Sequence, residues 1–207
     1  LSPRPRIGVL VSGRGSNLAA LLRRRGELAA DFACVVSNTE APALEVARAQ
    51  GLPAVAVPVV RGEAREAHEG RVLEVLQAHD VTFVVLAGYM RVLTPFFIGA
   101  FPAGHITNIH PSLLPAFPGL HAHRQALERG VKVSGATVHF VTPGDVDGGP
   151  ILAQRTVPVL AGDDEDTLAS RVLAVEHQVY ADALSALFAG RLMLRDGRVW
   201  EVALGEV

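Results

Sequence analysis

The stretch "TNIHPSLLPAFPGLHAHRQAL", residues 107–127, places Asn108 and His110 two residues apart at the end of an apolar run. Alternate residues of a strand point to the same side, so an amide and an imidazole share one face there. An amide N–H can donate to an oxyanion as charge develops on it. An imidazole can carry a proton in and out near neutral pH. Prolines at 111, 115 and 118 restrict the backbone that follows and would hold the polar pair in one geometry with little entropy left to lose on binding. Further on, "VTPGDVDGGPIL" carries Asp145 and Asp147 on a loop with Gly148 and Gly149. A carboxylate from this loop that reached His110 would favour the imidazolium and make it a proton donor. The same residues also admit a plainer reading: Asn108 bonded to backbone, His110 a satisfied strand-end histidine, Asp147 a turn stabiliser.

A second candidate lies near the start. "VSGRGSNL" falls between an expected strand and an expected helix, where free backbone N–H groups and the helix dipole attract anions. Gly13 and Gly15 permit close approach, and Ser16 and Asn17 can cap the helix or donate further hydrogen bonds. A phosphate is the expected ligand, with a tight turn and an ordinary cap as the alternative. A dinucleotide fingerprint would need glycine where Leu18 stands and an acid near Ser37 and Asn38. A Walker loop is absent, since the one lysine is Lys132. His121 and His123 sit with His110 in a histidine-rich loop, yet no carboxylate or cysteine cluster accompanies them, so zinc is not expected. There is no G-x-S-x-G nucleophile elbow.

These groups need a scaffold that gathers loops. Short apolar runs at 6–12, 32–37, 53–58, 82–88 and 105–110 alternate with helical patterns at 17–25, 41–51 and 63–79. That order predicts an α/β fold, a doubly wound and mostly parallel sheet with helices on both faces. The runs are apolar at nearly every position, as expected of strands covered on both sides. Ligands of such sheets collect at the carboxyl ends of the strands, where both candidates fall. After "GATVHFV" and "PILAQRTVPV", a long helix is expected from about Asp166 to Phe188. A small hairpin turning at Asp196-Gly197 follows.

The chain has 207 residues, 49% of them hydrophobic, enough for one domain with a substantial core. A net charge of -2 gives no long-range attraction to nucleic acid or an anionic membrane. Neither is expected as a partner. Cys34, in "FACVV", reads as a small buried hydrophobe. No run approaches the roughly 18 apolar residues of a membrane span, and the first apolar stretch is too short for a signal peptide. A cytoplasmic location is the default expectation.

Taken in order and spacing, "GVLVSGRGSNL", "LAGYMRVLTPFF", "NIHPSLLPAFPGLHAHRQAL", "GATVHFVTPGDVDGGPIL" and "EHQVY" resemble the phosphoribosylglycinamide formyltransferases, within the folate-dependent formyltransferases. The resemblance covers nearly the whole chain. It implies one formyltransferase domain over 1–207, with a phosphate-binding half at about 1–100 and a catalytic and folate-binding half at about 101–207. It also implies transfer of the formyl group of 10-formyltetrahydrofolate, a cosubstrate, to the glycine amine of glycinamide ribonucleotide, without metal or tightly bound cofactor. By matching motif, Asn108, His110 and Asp147 would be catalytic. Gly15, Ser16, Asn17 and Glu176 would bind the ribonucleotide, and Arg65, Met90, Arg91, Val92, Leu93 and Asn108 the folate. The Asp147 loop has one residue more than the family pattern "VTDELDGGP", which leaves Asp145 as a neighbouring candidate. Small molecules are the implied partners, and the chain would act as monomer or homodimer. Alternatives are another formyl-folate transferase or hydrolase, or a non-catalytic nucleotide-binding module.

Overall fold

A computed structural model describes residues 3–202. Its seven-stranded sheet runs β3-β2-β1-β4-β5-β6-β7, and a two-stranded hairpin pairs β8 with β9. The chain divides into two compact units, Leu1–Thr107 and Asn108–Val207.

In the first unit, β1 (Arg6–Val11), β2 (Asp31–Ser37), β3 (Ala54–Ala56) and β4 (Phe83–Leu86) are parallel, with β1 between β2 and β4. After its first residue β1 is buried at every position, and β4 is buried throughout. Such strands have no solvent face, so the uninterrupted apolar runs are what covered parallel strands require. β3 is shorter than the expected 53–58 because proline brackets it: Pro53 and Pro58 bring no N–H to the ladder. The helices α1 (Ser16–Arg23), α2 (Pro42–Ala49) and α3 (Arg65–Ala78) fill the intervals between strands. A short α4 (Pro95–Ile98), not foreseen from the sequence pattern, follows β4. The Thr94 hydroxyl caps it by accepting the Phe97 N–H.

The second unit begins within β5 (Ile106–His110) and continues through α5 (Ala122–Glu128), β6 (Val133–Phe140), β7 (Ile151–Pro158) and α6 (Glu165–Phe188). β6 and β7 are antiparallel. β7 is largely accessible, with only Leu152 and Val157 buried among its eight residues, as fits a strand at the edge of the sheet. α6 packs on both strands. Its start is set by Asp164, whose carboxylate accepts the Thr167 N–H at 2.8 Å; Glu165 and Asp166 in the first turn suit the helix dipole. β8 (Leu192–Arg195) and β9 (Arg198–Glu201) meet at Asp196-Gly197, both at positive φ (52° and 73°). Positive φ at both central residues is what a tight hairpin turn demands.

One glycine fixes how α1 leaves β1. Gly15 is the helix N-cap at φ 79°, and a Cβ there would lie 2.7 Å from Ala43 Cβ and 2.9 Å from Ala43 Cα. Both the left-handed backbone and the approach of α2 therefore exclude a side chain. Gly15→Ala is expected to destabilise the protein by about 2 kcal/mol or more, combining the conformational and steric penalties. An unchanged urea midpoint would contradict this. Cys34 is fully buried on β2, and burial pushes its thiol up to about 11 against a smaller opposite effect of Arg6. Since the thiolate is the reactive form, thiol reagents should label Cys34 only after denaturation, as mass spectrometry would show.

Candidate functional site

The strand-end polar pair lies in the second unit. His110 is 5% exposed at the end of β5. Its Nε2–H donates to the Phe117 carbonyl at 2.8 Å, and its Nδ1 stands 3.3 Å from Asp147 Oδ2. A carbonyl can only accept, so Nε2 must carry a proton. Nδ1 is then the ring nitrogen that gains or loses one. The Gly119 N–H donates to the same Asp147 oxygen at 2.8 Å. The Asn108 amide nitrogen lies 3.3 Å from His139 Nε2, and that nitrogen is 3.6 Å from Asp147 Oδ1.

Backbone strain accompanies this cluster. Phe117, His121 and Asp147 have φ of 56°, 61° and 59°. Aspartate visits the left-handed region with little difficulty, whereas a bulky phenylalanine there is an outlier that costs on the order of 1–3 kcal/mol. The outlier has a visible result, since the Phe117 carbonyl is directed at His110. A cis Leu114-Pro115 bond lies in the same loop.

β6 and β7 hold that loop. The Thr137 hydroxyl, fully buried, donates to the Ser112 carbonyl at 2.7 Å and accepts the Leu114 N–H at 3.0 Å. Gln154 on β7 donates through Nε2 to the Leu114 carbonyl at 2.8 Å and to the Thr137 hydroxyl at 3.0 Å. The hydroxyl's donor and both acceptor positions are thus filled. Neither Thr137, Gln154 nor His139 figures in the sequence reading of the site. Their signal is the polar alternation in "GATVHFV", where Thr137 and His139 fall two apart on β6 as Asn108 and His110 do on β5.

The histidine-rich loop is corrected by the structure. His121 is the N-cap of α5 and His123 lies inside that helix. The left-handed turn at His121 starts the helix, and the Gln125 side chain secures it by donating to the Leu120 carbonyl at 2.9 Å. Burial pulls the His123 pKa down, with Glu165 acting the other way and His110 adding to the depression. Among the described residues no group of three or more His, Cys, Asp or Glu could hold a metal ion. Asp145 is exposed, and its carboxylate occupies the space beside Gly148. Asp147, not Asp145, is the acid brought to His110. Glu176, on α6, is 8% exposed.

In the first unit, the loops after β1 and β4 meet at the point where the strand order reverses, the place for ligands in such sheets. Ser16 and Asn17 are the first two residues of α1, in the turn whose N–H groups point out along the helix axis. The cap is Gly15 itself, with no side-chain cap bond; the expectation that Ser16 or Asn17 caps the helix gives way because both lie inside it. Ser12 joins three loops. Its hydroxyl donates to Asn38 Oδ1 at 2.6 Å and accepts the Met90 N–H at 2.8 Å, while its N–H donates to the Gly88 carbonyl at 3.1 Å. Met90 and Val92 are 72% and 51% exposed, so they are not core, whereas Leu93 is buried. Arg91 is half-buried. Arg65 is exposed at the first position of α3, where the helix dipole does not favour a cation. Thus Arg65 and 90–93 lie in the first unit and Asn108 in the second. A groove of 410 Å³ lined by Leu73, Val81, Phe101 and His105 among others lies before β4 and β5, at the strand ends opposite the glycine loop.

An amide and an imidazole on β5, met by a carboxylate from the loop between β6 and β7, suit acyl-group transfer. Residues 5–184 match the family described as formyl transferase, and the chain belongs to that family. More narrowly, the chain is 42% identical over 197 residues to phosphoribosylglycinamide formyltransferase of Escherichia coli (strain K12), covering 94% of this chain and 92% of that protein. Its structure is similar to that of glycinamide ribonucleotide transformylase 1 from Symbiobacterium toebii, with a TM-score of 0.92, 48% identity, and 98% and 96% of the two chains covered. It is also 43% identical over 195 residues to the trifunctional purine biosynthetic protein adenosine-3 of Drosophila pseudoobscura pseudoobscura, covering 92% of this chain but spanning only 14% of that longer protein.

Thr137→Val keeps the side-chain shape but leaves the Leu114 N–H and Ser112 carbonyl without their partner. It is expected to destabilise the protein by about 1–3 kcal/mol. Denaturant unfolding measures this, and no loss would mean that the loop is held by other contacts.

Proposed function

We propose that this chain transfers the formyl group of 10-formyltetrahydrofolate to the glycine amine of glycinamide ribonucleotide, giving the N-formyl ribonucleotide and tetrahydrofolate in purine biosynthesis. The observation that carries this reading is Asp147 Oδ2 held 3.3 Å from His110 Nδ1 in a chain of the formyl transferase family.

In this reading the amine lone pair attacks the formyl carbon and its carbonyl electrons move to oxygen. Asn108 N–H and protonated His110 stabilise the resulting oxyanion. The intermediate collapses by breaking the bond to the folate nitrogen. The attacking nitrogen gives up a proton and the departing one acquires one, with His110 Nδ1 as the exchange point, directly or through water. Asp147 keeps the ring oriented and partners its positive charge. The phosphate sits on Gly15, Ser16 and Asn17, with Glu176 near the ribose or its amide. Arg65, Met90, Arg91, Val92 and Leu93, together with Asn108, receive the folate. The chain uses no metal and no tightly bound cofactor. It acts as a monomer or homodimer in the cytoplasm, on small molecules alone; no helix among the described residues is long and apolar enough to cross a membrane.

The deciding assay follows absorbance with a 10-formyl folate, with and without glycinamide ribonucleotide. Product formed only when both are present supports transfer. Folate product without the acceptor would point to hydrolysis, and none in either case to a binding module. Asn108→Ala and His110→Ala are each expected to lower kcat about 10²–10³-fold in a protein that still folds, as far-UV circular dichroism would show. Wild-type turnover in either variant would remove that residue from the mechanism.

A further inference from the structure

The ring of His139 has a place that the proposed chemistry does not use. It is 2% exposed on β6. Its Nδ1 lies 2.9 Å from the Phe140 carbonyl, an atom that can only accept, so Nδ1 carries a hydrogen. In a ring with one proton, Nε2 is then a lone pair. Burial disfavours the second proton and His110 adds to that effect, while the Phe140 carbonyl and Asp147 oppose it, leaving the pKa below its ordinary value. Asp147, from the loop after β6, and His110, on β5, are the titratable groups acting on the ring. Across the ladder on β7 the facing residue is Ile151, which does not titrate.

A lone pair at that point discriminates between the two ends of the Asn108 amide. The NH₂ end can donate to it, as the 3.3 Å separation from Asn108 Nδ2 records. The oxygen end would set lone pair against lone pair. From this geometry we infer that His139 is a positioning residue: through the lone pair on Nε2 it fixes the orientation of the Asn108 amide, so that one N–H is anchored and the other remains to donate to the reacting carbonyl oxygen. The inference rests on the formyl-transfer reading for its consequence but not for its geometry. A doubly protonated ring would reverse the arrangement. Its Nε2–H would compete with His110 for Asp147, and the amide would lose its acceptor.

Two measurements test this. In protein labelled with ¹⁵N histidine, the imidazole nitrogens of His139 at neutral pH should show a protonated Nδ1 and an unprotonated Nε2. An Nε2–H tautomer or a doubly protonated ring overturns the inference whether or not the protein is active. In kinetics, His139→Phe, which has no acceptor, should lower kcat roughly 10- to 100-fold with each KM within about threefold. His139→Gln, whose side-chain oxygen can accept, should recover a substantial part of the loss. In an Asn108→Ala background, His139→Phe should cost less than about threefold, because its target is gone. Equal losses in both backgrounds, or no recovery with glutamine in a protein that melts normally, would overturn it. Lack of formyl transfer by the unaltered protein would instead refute the functional reading and leave the ring's nitrogen signals to decide this one.

Discussion

The contact between Asp147 and His110 is the constraint on which the candidate centre turns. A carboxylate beside a ring nitrogen orients the imidazole and fixes which side of the ring it presents to its surroundings. Here both groups are held from their other sides as well. Gly119 donates to the carboxylate, and Phe117 accepts from the far nitrogen of the ring. One loop, 111–121, therefore supplies a backbone contact to each member of the pair.

That loop would be a liability without support. It contains residues in the left-handed region, and such strain persists only where surrounding structure over-determines it. Thr137 and Gln154 supply the over-determination with four hydrogen bonds among Ser112, Leu114 and one another. Thr137, the fully buried member, would be costly to leave without these partners. The antiparallel pair β6–β7 thus braces the backbone beside the candidate centre through Thr137 and Gln154.

The first unit works on another principle. Its parallel strands deliver loops to one edge, and the reversal in strand order between β1 and β4 is the place where sheets of this kind take ligands. Ser12 ties the glycine loop to Asn38 and to the backbone of Met90. The loop that opens α1 and the one proposed to line the folate site therefore share a hydrogen-bonded post. Exposed Met90 and Val92 above buried Leu93 give that second loop an apolar surface toward solvent and an anchor toward the core.

Local pattern alone carried a good deal. The alternation of apolar runs with helical periods sufficed for the parallel sheet, because covered strands and amphipathic helices each have their own repeat. Aspartate followed by glycine sufficed for the last hairpin, because only such residues accept positive φ cheaply. The two-residue spacing of Asn108 and His110 placed both on one side of a strand end. Tertiary structure alone decided the rest. Whether Asp145 or Asp147 reaches His110 depends on backbone angles in a loop with an extra residue, which spacing does not encode. The roles of Thr137, Gln154 and His139 depend on strands distant in sequence. A histidine's available nitrogen, finally, is set by what the other nitrogen touches, and that neighbour is known only once the chain has folded.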